Sequence, residues 1–307
     1  MGRCVILSGF GPVSEFVHFM NIAAIIAVRD EVELIGANID YHLSIGFEGI
    51  VVADIFSSDG TGEKLESYKD NPRVSVIKAP SQDWKVFDWR EVLVEIAKEI
   101  YQPDFISHID PDDFLYSPAH DCLDFGAFDH DQLTIKRFNC VSGLTQDFVL
   151  PTCMRGMDQF DVVKHPAASA FLQKGSAEPA VWLFTHIAPK LICRSDAVAR
   201  FIGGSHSAVD QYDQELQGTT SDSLAFIHFP LTTYKRFLRK VNNLNDHLIN
   251  LLEERTEEAY AYHWKRWCRL YRDGGDEAVF EEYQRQLAAM TNPRYEICTD
   301  IAQNCLK

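Results

Sequence analysis

The residues best suited to chemistry in this chain are five in a row, Ile109-Asp110-Pro111-Asp112-Asp113, at the end of the apolar run Phe105-Ile106-Ser107-His108. That placement puts a cluster of carboxylates on the loop leaving a buried strand. Oxygen ligands suit hard cations, and Mg2+ or Mn2+ typically takes one or two protein carboxylates together with the phosphates of a substrate. An Asp-x-Asp pair therefore points to nucleotide chemistry. The triplet alone is a common pattern, with about two expected by chance in so Asp-rich a chain. Asp129-His130-Asp131 is a second copy, so context has to separate the two.

The elements that must position those carboxylates are strands alternating with helices. Asn21 to Val28 reads as an apolar strand, followed by a helical pattern through Leu34, Ala37, Tyr41 and Leu43 that Gly46 caps. Gly49 to Ala53 is a second strand, ending at Asp54 and the turn-rich Ser57-Ser58-Asp59-Gly60-Thr61-Gly62. A short helix from Glu63 to Tyr68, a strand from Val74 to Ile77 and a helix from Trp89 to Tyr101 lead to the strand carrying the acidic run. Such alternation predicts an α/β fold with a mostly parallel mixed sheet flanked by helices. Ligands bind beyond the carboxyl ends of strands in such sheets, so Arg29, Asp54, Asp59, Asp110 and Asp112 are expected along one rim.

Residues 115 to 205 read as mixed and loop-rich, with strands at Gln132 to Phe138 and Lys190 to Cys193. From Thr232 onward the pattern is helical: Phe237, Val241, Leu244, Leu248 and Leu251 recur at helical spacing, then Ala259 to Tyr271 and Glu277 to Met290. The division that follows is a catalytic domain over 1–231 and a helical C-terminal appendage over 232–307.

With 307 residues, 46% hydrophobic and 24% charged, the chain is of ordinary globular composition, with no apolar run of membrane-spanning length. Met1 to Gly11 is too short and too weakly charged for a signal peptide, so a cytoplasmic location is expected. Eight cysteines form no C-x-x-C pair, which leaves zinc and dithiol chemistry unsupported and reduced, mostly buried thiols expected. A net charge of -16 argues against general nucleic-acid binding. Basic residues cluster only locally, in Lys235-Arg236-Arg239-Lys240 and Lys265-Arg266-Arg269-Arg272. No G-x-S-x-G elbow is present, and Gly9-Phe10-Gly11-Pro12 is not a dinucleotide fingerprint.

Taken in order, Val28-Arg29-Asp30-Glu31, Tyr41-His42-Leu43-Ser44-Ile45-Gly46, Asp54 with Ser58-Asp59-Gly60-Thr61, and Ile109-Asp110-Pro111-Asp112-Asp113-Phe114-Leu115 resemble glycosyltransferase family 2. The likeness is to the bacterial branch whose motifs read R-N-E, Y-H-x-x-x-G, D-x-x-S-x-D-G-T and D-x-D-E-F. It continues in Lys190-Leu191-Ile192-Cys193-Arg194, Gly204-Ser205-His206 and His228-Phe229-Pro230-Leu231-Thr232-Thr233-Tyr234 with Phe237 and Lys240, covering residues 22 to 241. Asp30, Asp113 and Phe229 stand where the pattern has Asn, Glu and Tyr. The resemblance implies the Rossmann-like glycosyltransferase A fold and transfer of a sugar, usually with inversion, from a UDP- or GDP-linked donor to a glycan or lipid-linked acceptor in bacterial surface polysaccharide or lipopolysaccharide synthesis. Mn2+ or Mg2+ is the implied cofactor.

On that resemblance Asp112 is the expected metal ligand, with Asp110 on the metal or the ribose and His206 as third ligand, His228 being its alternative. Each also has a structural reading: loop carboxylates cap turns, and a histidine among glycines and serines can be a solvated loop residue. Asp54 would accept a base N–H, or head an Asx turn. Asp59 would serve the nucleotide, or only its turn. Arg29 would contact base or phosphate, or pair with Asp30 or Glu31. Lys240 and Arg236 would neutralise the diphosphate, or be solvated. Inversion needs a base for the acceptor proton, and Glu178, Asp196 and Asp147 are candidates. The stretch His263 to Arg272 mixes aromatic and basic residues as an interfacial helix does, which suits peripheral contact with the inner face of a membrane; a core helix with a basic edge has the same composition. Two other classes fit a nucleotide-binding sheet, a nucleotidyltransferase and a non-catalytic binder; the first lacks a glycine-rich loop after its first strand.

Overall fold

The structure is a computed structural model that describes residues 21–81, 89–118, 130–141, 149–163, 181–247, 249–254, 261–291 and 297–298. The first half follows the expected alternation: β1 (Ile22–Val28), α1 (Ile35–Ser44), β2 (Gly49–Asp54), α2 (Thr61–Glu66), β3 (Val74–Lys78), α3 (Trp89–Tyr101) and β4 (Phe105–His108). Beyond the acidic loop come β5 (Asp113–Tyr116), β6 (Gln132–Asn139), β7 (Val162–Val163), β8 (Lys190–Arg194), β9 (Arg200–Ile202), β10 (Ser207–Val209) and β11 (Gly218–His228). The chain then turns helical in α4 (Tyr234–His247), α5 (Ile249–Glu253) and α6 (Tyr262–Ala288), with a short β12 (Ile297–Cys298) paired to β7.

Eight strands form one mixed sheet in the order β3-β2-β1-β4-β8-β6-β11-β5. The first four are mutually parallel, β11 runs parallel to β6, and the β4–β8, β8–β6 and β11–β5 pairings are antiparallel. The fold is thus α/β with a mixed sheet that is parallel in four of its seven pairings. β1 alternates between two cores: Ala24, Ile26 and Val28 pack with Ile35 and Ile39 of α1, while Ala23 and Ile25 pack with Leu93, Val94 and Ala97 of α3. Both faces are covered by helices, which is why these strands are apolar throughout rather than alternating.

β2 and β3 extend the sheet to one side of β1, and β4 joins on the other. Reversal of strand order between β1 and β4 is a topological switch point, where the loops leaving the carboxyl ends diverge and open a crevice.

The helices after residue 232 meet the sheet at that same rim. Thr233 Oγ1 donates to Glu33 at 2.8 Å and Asn243 Nδ2 to Asp30 at 2.8 Å, both in the loop after β1. The two C-terminal helices expected from the sequence form one element, α6, kinked at Gly275, whose φ of 63° is open to glycine. In the stretch His263 to Arg272, Trp267 is buried and packs on Phe237, Arg266 pairs with Glu282 at 2.9 Å and Arg272 with Glu253 at 3.0 Å. The aromatic face expected for a membrane surface is turned inward here, which is the core-helix reading of the composition. Among the described residues no helix is long and apolar enough to cross a membrane. Cys140, Cys193 and Cys268 are buried free thiols, and Cys153 is an exposed one.

Candidate active site

The acidic loop is fixed from beneath by α1. Asn38, fully buried, donates through Nδ2 to the carbonyls of Pro111 at 3.1 Å and Asp113 at 2.8 Å. Tyr41 donates its hydroxyl to the carbonyl of Leu115 at 2.7 Å, and His42 Nε2 accepts the Leu115 N–H at 3.3 Å. The other nitrogen of His42 donates to the carbonyl of Asn38 at 2.8 Å, so both ring atoms are satisfied by backbone. Burial lowers the pKa of this histidine to about 4 and keeps it neutral. Tyr41 and His42, read from the sequence only as part of a motif, therefore pin β5 and with it the carboxylates.

The loop after β1 is shaped by a left-handed residue. Asp30 has φ 53°, a region Asn and Asp enter more readily than other side chains, and its carboxylate accepts from the Ser58 N–H at 2.6 Å. Glu31, which follows, receives Arg236 of α4 through a two-nitrogen fork. Arg236 also donates to Asp112 Oδ2 at 2.7 Å and to the carbonyls of Phe229 and Pro230 at 3.1 and 3.0 Å. Almost fully buried, it clamps three loops rather than facing a ligand.

Four carboxylates and four cations interlock at the rim. Asp110 Oδ2 lies 2.8 Å from Lys190 Nζ and 3.2 Å from Arg137. Asp113 Oδ1 lies 2.7 Å from Arg137 Nε. Asp112 Oδ2 meets Arg236 and Lys240 Nζ, both at 2.7 Å, and Lys240 lies 3.6 Å from Glu31. Burial disfavours the charge of Asp110 and Asp112, but Lys190 and Arg137 for the first, and Lys240 and Arg236 for the second, outweigh it and hold both below the ordinary carboxylate range. Asp113 goes the other way: burial, reinforced by Asp110, pushes it up to about 7 against the pull of Arg137.

His228 ends β11 beside this network. Its Nδ1 lies 2.7 Å from Asn139 Oδ1, and Asn139 donates its own Nδ2 to the carbonyl of Leu183 at 2.8 Å. The amide oxygen is therefore the acceptor, and His228 carries its proton on Nδ1. Burial lowers the histidine to about 3, so it is neutral and Nε2 bears a lone pair. That lone pair faces Asp112 Oδ2 across 3.4 Å with no proton of its own between them. Ligand atoms of Asp112, Asp113 and His228 lie within 4.8 Å of one another. Two carboxylates and an oriented imidazole form a donor set that suits Mn2+ or Mg2+, and Asn139 supplies the outer hydrogen bond that fixes the ring.

A cavity of about 650 Å³, within the range of small-molecule sites, opens over Asp112 and His228, with Asp113 buried behind its wall. It spans the switch point: Ala27 and Arg29 at the carboxyl end of β1, and His108 and Asp110 at that of β4, line it together with Lys240, His206 and His228. Arg29 Nη2 lies 2.7 Å from His247 Nε2, and its Nε lies 3.9 Å from Asp30 Oδ2. His206 follows three left-handed residues, Gly203, Gly204 and Ser205, which turn it back so that Nδ1 donates to the carbonyl of Pro189 at 2.6 Å. A Cβ at Gly204 would sit 3.3 Å from His206 Nε2, so the close approach uses the glycine. His206 shares the cavity wall with Asp112, but the ligand atoms that cluster with Asp112 are those of His228 and Asp113, with neither His206 nor Asp110 among them.

Three carboxylates from the sequence do not come to the cavity wall. Asp54 Oδ1 accepts the Ser57 N–H at 3.0 Å, the Asx turn weighed above. Asp59 accepts from the backbone and hydroxyl of Thr61, from the Val32 N–H at 3.2 Å and from Arg239 at 2.7 Å, which uses both oxygens structurally. Asp196 is displaced by strand direction. β8 runs antiparallel to β4, so Lys190 at its start stands by Asp110, while Asp196, beyond its end, is carried about 13 Å or more to the opposite edge. There it pairs with Arg194 at 3.0 and 2.8 Å, an exposed ion pair away from the cavity. Asp147 and Glu178 lie outside the described residues, as does Asp129 of the second triplet.

Arg137 and Asn139 were not singled out from the sequence, and Lys190, Glu31 and His108 entered only within longer stretches, with no role at the site. Lys190, fully buried at the head of an apolar strand, and Arg137 within a strand carried the available signal: a charge where apolar residues are the rule.

No family model matches the chain, and no curated protein matches it. Solved structures that resemble it include S. aureus TarS 1-349, 14% identical over 88% of this chain and 91% of that one, with a TM-score of 0.41. The same fragment in complex with UDP-GlcNAc is 11% identical over the same shares, with a TM-score of 0.33. A longer S. aureus TarS chain is 17% identical over 75% of this chain and 40% of its own, with a TM-score of 0.40. Scores below 0.5 decide neither family nor substrate.

Proposed function

We propose that the chain is a metal-dependent, inverting glycosyltransferase that moves a sugar from a UDP- or GDP-linked donor to a hydroxyl of a glycan or lipid-linked acceptor in bacterial surface polysaccharide or lipopolysaccharide synthesis. The observation that carries it is the facing pair of Asp112 and the neutral His228 Nε2 in a cavity that spans the β1/β4 switch point. The ordered motifs shared with glycosyltransferase family 2 supply the reaction class.

Asp112, His228 and Asp113 would hold the divalent ion, which when bound offsets the charge growing on a leaving diphosphate. Arg29, at the end of β1, is assigned to the nucleotide, and Asp110, oriented by Lys190 and Arg137, to the ribose. Lys240, half-open to the cavity, moves from Asp112 to the diphosphate when a donor arrives and supplies a positive charge where negative charge develops. Arg236 stays in place and keeps the Glu31, Asp112 and Pro230 loops in register. Asp54 and Asp59 shape the loop that supports Asp30. The acceptor proton goes to a carboxylate, with Glu178 and Asp147 as candidates once Asp196 is set aside.

The test is donor hydrolysis with a panel of UDP- and GDP-sugars, with and without Mn2+, comparing the native chain with Asp112→Ala. Metal-dependent cleavage of one donor that the variant abolishes supports the reading and names the donor. Donor binding with no cleavage and no metal dependence would leave a nucleotide-binding protein instead.

A further inference from the structure

One wall of the cavity is aromatic and has no role in the chemistry above. Trp182, on the 3-10 turn Trp182–Phe184, stacks on His263 of α6 at 4.7 Å and 23°, and Trp264 crosses Trp267 at 5.0 Å and 89°. Trp267 is the buried anchor of this group, while Trp182, His263 and Trp264 keep part of their surface open to the cavity. Among the described residues these rings line the cavity, where a ligand can cover them.

The wall reaches the reacting centre at two points. Lys240 Nζ lies 5.8 Å from the centre of the Trp264 ring and 2.7 Å from Asp112 Oδ2, so the ring centre is within about 8.5 Å of that oxygen, the sum of the two separations. Trp182 meets the His228 ring edge-on at 6.0 Å. The wall stands beside the end of β11, four strand positions from β1, up to about 19 Å along a flat sheet. A nucleoside at the β1/β4 crevice therefore leaves this part of the cavity for another group. What suits it is a flat ligand with an apolar face and a hydrogen-bonding edge, since aromatic rings supply area and His263 and Lys240 supply polar partners.

We propose that Trp182, His263 and Trp264 form a pyranose-binding subsite, stacking the C–H face of the acceptor's terminal sugar next to Asp112. This rests on the glycosyltransferase reading, and it makes the C-terminal helices part of the substrate site. The donor's own sugar has the same chemistry, so the experiment separates the two sources.

Binding of UDP, of the donor identified by hydrolysis, and of methyl β-glycosides of glucose, galactose and N-acetylglucosamine is measured by tryptophan fluorescence and saturation-transfer NMR, with Mn2+, on the full chain and its Trp264→Ala and Trp264→Phe variants. At least one glycoside is expected to bind with or without UDP, with its ring C–H protons saturated. Trp264→Ala is expected to weaken it ten-fold or more, Trp264→Phe to restore most of the affinity, and UDP affinity to stay within two-fold. If no glycoside binds but Trp264→Ala weakens the sugar nucleotide without weakening UDP, the subsite is real and holds the donor sugar. Loss of UDP affinity in Trp264→Ala would mean that the wall stacks the nucleobase, and binding of neither glycoside nor donor sugar at the wall would leave it structural; both overturn the proposal. Failure of native protein to bind UDP strikes the glycosyltransferase reading alone, because the glycoside arm without UDP still reads the wall.

Discussion

Two acidic loops leave the carboxyl ends of β2 and β4, the strands on either side of β1, and they use their carboxylates differently. After β2, Asp54 and Asp59 accept mainly backbone N–H groups of their own turn and its neighbours, with Arg239 closing the set. After β4, Asp110, Asp112 and Asp113 are held almost entirely by side-chain cations, and Asp112 also faces a histidine lone pair. A carboxylate bound to its own backbone is committed as long as the turn exists. One matched by a lysine on a flexible stem can exchange that partner for a metal ion or yield it to a phosphate. Chemical capacity follows from exchangeable partners rather than from the number of acids.

The sharpest way to break the comparison is to neutralise one acid in each loop. Asp112→Asn is expected to lower donor turnover by about 10²- to 10³-fold, the scale of a lost electrostatic group in a dry site, with the fold intact by circular dichroism. Asp59→Asn is expected to keep turnover within a few-fold while reducing stability to urea by about 1–2 kcal/mol, from the lost charge-assisted bond to Arg239 and weaker turn bonds. A reversed pattern, with Asp59 controlling the rate and Asp112 only stability, would place the reacting centre on the wrong loop.

A second contrast lies between two buried histidines. His42 has both nitrogens satisfied by backbone, whereas His228 has one satisfied by Asn139 and one aimed at Asp112. Removing the outer partner should matter only at the second. Asn139→Leu is expected to weaken Mn2+ binding about 10- to 100-fold, read by titration calorimetry in the presence of UDP. Unchanged affinity would demote His228 to a structural residue of the same kind as His42.

His42 instead shows itself in stability against pH. Its pKa of about 4 lies below the ordinary histidine value, so between pH 6.5 and 4 the unfolded chain takes up a proton that the folded one refuses. Its contribution is complete above pH 6.5 and is lost as pH falls toward 4, at up to about 1.4 kcal/mol per pH unit. His108 and His228 act in the same direction, and Asp113, raised to about 7, in the opposite one. His42→Gln is therefore expected to flatten the dependence of unfolding free energy on pH between 6 and 4.5 by about that amount, measured in urea with chelator present. An equal slope in both proteins would show that His42 titrates normally.

These contrasts mark where the sequence was legible. Apolar periodicity located β1 to β4 and α1 to α3 within a residue or two, because strands covered on both faces and helices with one buried stripe leave strong patterns. It also set Asp110 and Asp112 on the rim. What it could not convey was direction beyond β4: nothing in Lys190-Leu191-Ile192-Cys193-Arg194 says that the strand runs antiparallel, and that alone brings Lys190 to Asp110 and takes Asp196 away. The ion pairs of Arg137, Arg236 and Lys240 with the acidic loop join residues 24 to 128 positions apart, and such pairings belong to the folded sheet rather than to any local pattern.

Lys240 offers the finest test, because the two loops predict effects of opposite sign on two ligands. In the metal-free, donor-free protein its ammonium occupies the Asp112 oxygen, and the four cations of the rim balance the four carboxylates when all are charged. A divalent ion arriving alone must compete with that ammonium, whereas one arriving with a diphosphate finds the lysine drawn to the phosphates. Lys240→Met removes the competitor and the phosphate partner together. Mn2+ affinity without nucleotide is expected to rise roughly five-fold, about 1 kcal/mol for a part-exposed ion pair, while UDP affinity in saturating Mn2+ falls by a similar factor. Both changes should shrink as salt is raised. The corresponding cation of the other loop, Arg239, sits on an acid already tied to backbone, so Arg239→Met should move neither affinity. Should Lys240→Met weaken Mn2+ and UDP alike, the lysine would be a fixed part of the site and the exchangeable-partner account of the acidic loop would fall.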